Sequence, residues 1–351
     1  MISDGAFRGK RIWLSGHTGF KGGWLAVWLI EMGACVTGFA LAPATPFFSQ
    51  LKLKNRLRHE IGDLRDLKRV RQSVLRCRPE YVFHLAAQPL VRESYRTPLE
   101  TYEVNTLGTG HVLEALRELR NPCAAVLVTT DKVYRNEEKQ RAFREDDPLG
   151  GRDPYSASKA AAEIIIQSYR ESFFQNHPVR IASARSGNVI GGGDYAQDRI
   201  VPDAFRALRK GRAIPVRNPQ SIRPWQHVLE PTSGYLTLAA HLARSPKFAE
   251  AYNFGPSARE EKTVAALVQQ ILRNRPGRWE RIREKKPPHE ASRLQLDNGK
   301  AWEKLDWKPR LTFGQTVAMT MDWYQDSLQP GFKAFPACQR QIGEYLSLSK
   351  S

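Results

Sequence analysis

Arg11-Ile12-Trp13-Leu14-Ser15-Gly16-His17-Thr18-Gly19-Phe20-Lys21-Gly22 decides the fold. Its first five residues form a short apolar run of the kind that makes a buried strand. Three glycines at the spacing GxxGxxG follow at once, and Phe20 to Met32 is an apolar-rich helical stretch. Glycines allow a tight turn and a close approach of the backbone to a pyrophosphate. A helix N-terminus adds free N–H groups and a positive dipole end. Strand, glycine loop and helix in this order make a dinucleotide site, with Gly16, Thr18, Gly19, Phe20, Lys21 and Gly22 as candidate contacts.

The rhythm continues outward from that unit. Cys35–Leu41 and His59–Asp63 are expected as the second and third strands, with a helix over Leu67–Leu75. Tyr81–Leu85 and Ala124–Thr130 are further strands with a helix between them at Thr106–Leu119. A helix over Pro154–Phe174 and a strand over Val179–Ala184 follow. Alternation of this kind predicts an α/β fold, a Rossmann-like doubly wound parallel sheet. After Gly187 the alternation stops, and Gly, Pro and Arg crowd the chain to Pro231. The expected division is an NAD-binding domain over 1–186 with a later return near 228–255. A smaller α/β substrate-binding lobe takes 187–227 and 256–351. Between Val36 and Gln50 there is neither a carboxylate for the adenosine ribose nor a cation for a 2′-phosphate, so NAD is the expected cofactor. Asp63 either reaches the adenine or caps the helix after it.

Composition narrows the class. Hydrophobic residues at 41% and charged residues at 26% suit a soluble globular protein. No apolar run is long enough to span a membrane, and Met1–Lys10 has no apolar signal core. Cys35, Cys77, Cys123 and Cys338 are scattered without metal spacing, so no metal and a reducing, cytoplasmic setting are expected. The net charge of +18 raises nucleic acid as a partner. No zinc-finger, RNP-like or basic-zipper pattern accompanies it. Solvated helix faces, with some arginines kept for an anionic ligand, are the favoured reading.

Tyr155 and Lys159, four apart near the start of a helix, share one face. An ammonium there favours the phenolate and lowers a pKa of about 10. Thr130, Asp131 and Lys132 arrive from a strand end with further donors and acceptors.

Taken in order, Gly16–Gly22, Leu85-Ala86-Ala87-Gln88, Asn105, Thr130 and Tyr155/Lys159 resemble the extended short-chain dehydrogenase/reductase superfamily. The blocks Thr130-Asp131-Lys132-Val133-Tyr134, Gly187-Asn188-Val189-Ile190-Gly191-Gly192-Gly193-Asp194, Asp198-Arg199-Ile200-Val201-Pro202-Asp203 and Arg217-Asn218-Pro219 running to Pro231 bring the chain closer to the CDP-glucose 4,6-dehydratase branch. Gly23, Tyr195 and Asp306 depart from that pattern, at places where a small hydroxyl residue, Trp and Gly are expected.

The resemblance implies NAD-dependent dehydration of a nucleotide-linked glucose to its 4-keto-6-deoxy form by a homodimer or homotetramer. Tyr155 then takes the proton of the sugar's 4-hydroxyl, Lys159 lowers the tyrosine's pKa and holds the nicotinamide ribose, and Thr130 bonds the same oxygen. Asp131 is the candidate acid and Lys132 the candidate base for loss of water, or Lys132 only positions substrate. A lysine base must be neutral, which requires burial or nearby positive charge. Leu64, Leu85, Ala86 and Ala87 join the cofactor contacts. Gln88, Asn188, Arg199, Arg217, Arg223 and Glu290 are the substrate candidates, with surface salt bridges the other reading for the arginines and a surface role for Glu290. An NAD-dependent epimerase or reductase of the same superfamily would share the Tyr/Lys pair, and the Thr-Asp-Lys segment tells them apart. A non-catalytic NAD-binding or nucleic-acid-binding protein would not need these groups intact.

Overall fold

The computed structural model describes residues 5–136, 141–283 and 294–348. Seven strands form one sheet: β1 (Arg11–Ser15), β2 (Cys35–Ala40), β3 (Arg58–Ile61), β4 (Tyr81–His84), β5 (Cys123–Val128), β6 (Val179–Ser186) and β7 (Ala251–Phe254). Their spatial order is β7-β6-β5-β4-β1-β2-β3, and every pairing is parallel. Successive side chains on a strand face opposite sides. Ile12 and Leu14 accordingly join one core with Phe83, Val126 and Ala184, while Trp13 joins the other with Val82, Ala125 and Ile181. Helices cover both faces, which is why the central strands β1, β4 and β5 are nearly continuously apolar.

Strand order reverses between β1 and β4, and in such sheets the crevice beyond the strand carboxyl ends is where ligands bind. Ser15, His84, Val128 and Ser186 all end at that edge. The first helix, Phe20–Glu31, starts from Gly19, and the helix Pro154–Phe173 starts from Asp153. The Asp153 carboxylate accepts from Ser156 N at 2.9 Å and from Ser156 Oγ at 2.5 Å.

The second lobe contains the helices Ile200–Arg209, Val264–Asn274, Gly299–Leu305, Phe313–Asp326 and Ala334–Ser347, with three pairs of very short strands. Its apolar residues Phe205, Leu267, Met321 and Trp323 share a core with β1 and the first helix. The chain therefore crosses the expected boundary at 186/187 without dividing its core.

Two expectations need correction. β3 covers Arg58–Ile61, so Asp63 lies beyond the strand. The next helix is capped by Asp66, which accepts from Arg69 N at 3.0 Å, and not by Asp63. The helix expected at Thr106–Leu119 is preceded by a π-helical turn, Glu103–Leu107, and runs over Gly108–Arg117. Two of the departures fall at constrained places. A Cβ on Gly23 would stand 2.8 Å from Phe47. Asp306 ends its helix at φ +52°, the conformation that favours glycine.

Candidate active site

A cleft of about 810 Å³ lies over the carboxyl ends of β1, β4, β5 and β6. The glycine loop forms its floor at one end. Gly16 has φ +81°, and a Cβ there would meet Ala86 N at 2.7 Å; a Cβ on Gly22 would meet Gly16 O at 2.0 Å. Only glycine fits either place, so the loop, the first helix and the segment after β4 are drawn together. Ser15 Oγ fixes that segment by accepting from Leu85 N at 3.0 Å and Ala86 N at 3.1 Å. Thr18, Phe20, Asp63, Leu64, Leu85, Ala86 and Ala87 line the same cleft. A backbone cradle with no room for a side chain, opening a helix N-terminus, fits a dinucleotide's pyrophosphate.

Asp63 is turned toward Arg65. Its carboxylate accepts from Arg65 N at 2.9 Å and from Nη2 at 2.6 Å, and the Arg65 hydrogen bond holds its pKa below the usual carboxylate value.

Thr130, Lys132, Tyr155 and Lys159 line the middle of the cleft. Asp131 lies just behind them, 1% exposed. Its Oδ1 accepts from Thr130 Oγ1 at 3.0 Å and stands 3.5 Å from Lys132 Nζ, and its Oδ2 is buried without a hydrogen-bond partner among the described residues. Gly187 makes room for it: a Cβ there would stand 3.0 Å from that Oδ2 and 2.6 Å from Pro224.

The expected lowering of Tyr155 by Lys159 does not hold in this environment. Burial pushes the Tyr155 hydroxyl up to about 12; Thr130's hydrogen bond and Arg199's charge oppose this, and Asp131 adds to it. Lys159 Nζ is directed at Val128 O, 3.3 Å away, and burial lowers its own pKa to about 8 against the pull of Glu163.

Among the substrate candidates, Asn188, Arg199, Arg217 and Arg223 line the cleft. Arg199 Nη1 pairs with Asp194 Oδ2 at 2.9 Å, Arg217 pairs with Asp198, and Arg223 is 7% exposed. Asn188 Oδ1 is buried without a partner among the described residues, an acceptor directed at no protein donor. Gln88 does not line the cleft. Its Nε2 donates to Thr101 Oγ1 at 3.0 Å and its Oε1 accepts from Leu90 N at 2.6 Å, so it fastens the loop after β4. Glu290 lies outside the described residues.

Asn105 entered the sequence reading only as part of the superfamily order, without a role, and Glu163 and Arg185 escaped it. Asn105 Nδ2 donates to Gln88 O at 3.1 Å and Ser158 Oγ at 2.9 Å, tying that loop to the Tyr155 helix. Glu163, one turn beyond Lys159, takes Thr129's hydroxyl hydrogen bond, accepts from Ser183 Oγ at 2.8 Å and pairs with buried Arg185 at 2.9 Å. The i,i+4 spacing from Lys159 was the available signal for Glu163. None marked Arg185.

Comparison with known proteins fits this arrangement. Residues 14–320 match the family model described as GDP-mannose 4,6 dehydratase. The chain is 44% identical to the CDP-glucose 4,6-dehydratase of Salmonella typhimurium, covering 99% of each. It is 27% identical to a dTDP-glucose 4,6-dehydratase of Xanthomonas campestris, over 89% of this chain and 92% of that one. Among solved structures, a Bacillus anthracis dTDP-glucose 4,6-dehydratase in complex with NAD superposes with TM-score 0.77 at 22% identity, covering 90% and 97%. A Thermotoga maritima UDP-glucose 4-epimerase with UDP-glucose gives 0.76 at 22% identity, covering 91% and 99%. Likeness at that level establishes the α/β fold, which epimerases and dehydratases share. The family match over most of the chain and the full-length 44% identity decide between them: the chain belongs to the nucleotide-sugar 4,6-dehydratases of the NAD-dependent epimerase/dehydratase family.

Proposed function

We propose that this protein converts CDP-D-glucose to CDP-4-dehydro-6-deoxy-D-glucose and water, in supply of deoxysugar precursors. The carrying observation is the meeting of Thr130 and Lys132 with Tyr155 and Lys159 in one cleft, with Asp131 hydrogen-bonded just behind them, in a chain 44% identical to a CDP-glucose 4,6-dehydratase. The Gly16–Gly22 loop, Leu85–Ala87 and Lys159 would hold NAD, which would supply a reversible hydride acceptor. Tyr155 takes the 4-hydroxyl proton, with Thr130 as its hydrogen-bond partner. Lys132 removes the C5 proton that the adjoining ketone acidifies, and Asp131 protonates the departing 6-hydroxyl. Arg199, Arg217 and Arg223 suit the diphosphate, because the planar guanidinium fork matches phosphate oxygens. Asn188 offers its free acceptor to a sugar or ribose hydroxyl, and Glu290 is proposed at the nucleotide ribose.

The test is incubation with CDP-, dTDP-, UDP- and GDP-linked hexoses and analysis of the products. A 4-keto-6-deoxy product formed fastest from CDP-glucose supports the reading. Product that retains its 6-hydroxyl makes the protein an epimerase. The unpaired cysteines suit a cytoplasmic setting. Leu99 (77% exposed), Leu107 (55%) and Ile164 (57%), on neighbouring helices, suit a homodimer through that face, to be checked by light scattering.

A further inference from the structure

The segment from Thr129 to Tyr134 carries Thr130, Asp131 and Lys132 out of β5 and past the helix that bears Tyr155 and Lys159. Both of its ends are fastened to one buried ion pair. At the near end, Thr129's hydroxyl donates to Glu163, one helical turn beyond Lys159. At the far end, the Tyr134 hydroxyl accepts from Arg185 Nη1 at 2.8 Å and donates to Asn253 Oδ1 on β7 at 2.7 Å. Arg185 Nη2 joins the two ends by donating to Glu163 Oε2 at 2.9 Å. Tyr134, Glu163 and Arg185 are all buried, so water does not compete for these bonds. Lys132, between the two anchors, makes longer contacts: its Nζ is 3.5 Å from Asp131 Oδ1 and its N is 3.5 Å from Thr130 Oγ1.

We infer that Arg185 is a positioning residue. With Glu163 it fixes the segment bearing the elimination acid and base against the helix bearing Tyr155, so that water loss depends on it more than oxidation at C4 does. This rests on reading the protein as a CDP-glucose 4,6-dehydratase. Replacing a buried ion pair by apolar residues is often neutral or stabilising, so stability alone gives little reason for this one. A planar guanidinium can hold two partners at a set separation, and here they are the helix and the far end of the segment. The Tyr155 helix has supports of its own, in the Asp153 cap and in Asn105 and Thr106. Thr130 adjoins the sheet, where Thr129 N donates to Ala184 O at 2.9 Å. Asp131 and Lys132 lie beyond that point, and the Tyr134 anchor holds them from the other side. A misplacement of about 1 Å at a reacting group costs up to about a hundredfold in rate.

The experiment mixes CDP-glucose with the NAD-loaded full-length protein, and with Arg185→Lys and Tyr134→Phe, in a stopped-flow spectrometer. Lysine keeps a cation for Glu163 but lacks the second arm that reaches Tyr134. Phenylalanine keeps the ring, which stacks on Phe143 at 4.9 Å between centroids, and removes only the hydroxyl. Both variants should accumulate bound NADH in the first turnover and form 4-keto-6-deoxy product about tenfold or more slowly than the native protein. Their affinity for CDP, measured by calorimetry, should stay within about threefold of native. A general loosening of the site would slow oxidation and elimination together and would show no such build-up. A folded variant that loses turnover without accumulating NADH, or that keeps turnover within about threefold of native, overturns the inference and leaves the dehydratase reading standing. Tyr134→Phe carries the test alone if Arg185→Lys does not fold. A native protein that forms no 4-keto-6-deoxy product from CDP-glucose overturns the dehydratase reading itself.

Discussion

Asp131→Asn separates dehydration from simple redox chemistry at C4. The carboxylate is 1% exposed, with Oδ1 bonded to Thr130 Oγ1 at 3.0 Å and 3.5 Å from Lys132 Nζ. Asparagine is nearly isosteric, and its carbonyl oxygen can keep the Thr130 bond. Lys132 is about a quarter exposed, so loss of its 3.5 Å contact with Asp131 costs about 1 kcal/mol or less. The fold should therefore survive with Tm lowered by a few degrees at most. The amide cannot give up a proton as an acid. General acid catalysis is worth about 10²–10⁴ in rate, which adds about 3–5 kcal/mol to the elimination barrier. Oxidation at C4 depends on Tyr155 and should be spared. In a stopped-flow experiment with CDP-glucose, the near-ultraviolet absorbance of reduced nicotinamide should rise in the first turnover and persist. The 4-keto-6-deoxy product should form about a hundredfold or more slowly. Turnover within about threefold of the native protein would refute the assignment of Asp131 as the acid.

Tyr155→Phe should lower turnover by about 10²–10⁴ while leaving CDP-glucose affinity within a few-fold, because the hydroxyl transfers a proton and the ring is retained; calorimetry beside steady-state kinetics checks both halves. Glu163→Gln should destabilise the protein by about 3–5 kcal/mol, read by denaturant unfolding, because it strands the buried Arg185 guanidinium, now paired at 2.9 Å. His17, His84 and His227 are each held by burial at about 3, below the ordinary 6.5. The unfolded chain thus binds more protons between about pH 3 and 6.5, so stability is lost as pH falls through that window, by about 1.4 kcal/mol per pH unit for each histidine. Tm should drop steeply below about pH 6, and a flat profile down to about pH 4 would refute this account.

Local signals made much of this protein legible in its sequence. The order of strand, glycine loop and helix is contiguous chain, and a glycine needed for positive φ or close approach announces itself by having no side chain. Apolar runs marked the strands because a doubly covered sheet buries both of their faces. Tyr155 and Lys159 could be paired because a helix brings positions four apart onto one face. Other features were decided only by segments distant in sequence that the strand order brings side by side. The amide of Gln88 is taken up by Thr101 and the Leu90 backbone, and Asp63 turns to Arg65 once its strand ends early. Burial is the largest influence on the Tyr155 hydroxyl and raises it. Lys21 reaches the end of β6 only because β6 and the Leu229–Arg244 helix bring Ser186 and Tyr235 beside the first helix. Periodicity reports which face a residue occupies. Where a long charged side chain points, and what its charge does there, depends on the dielectric and the partners that the assembled fold places around it.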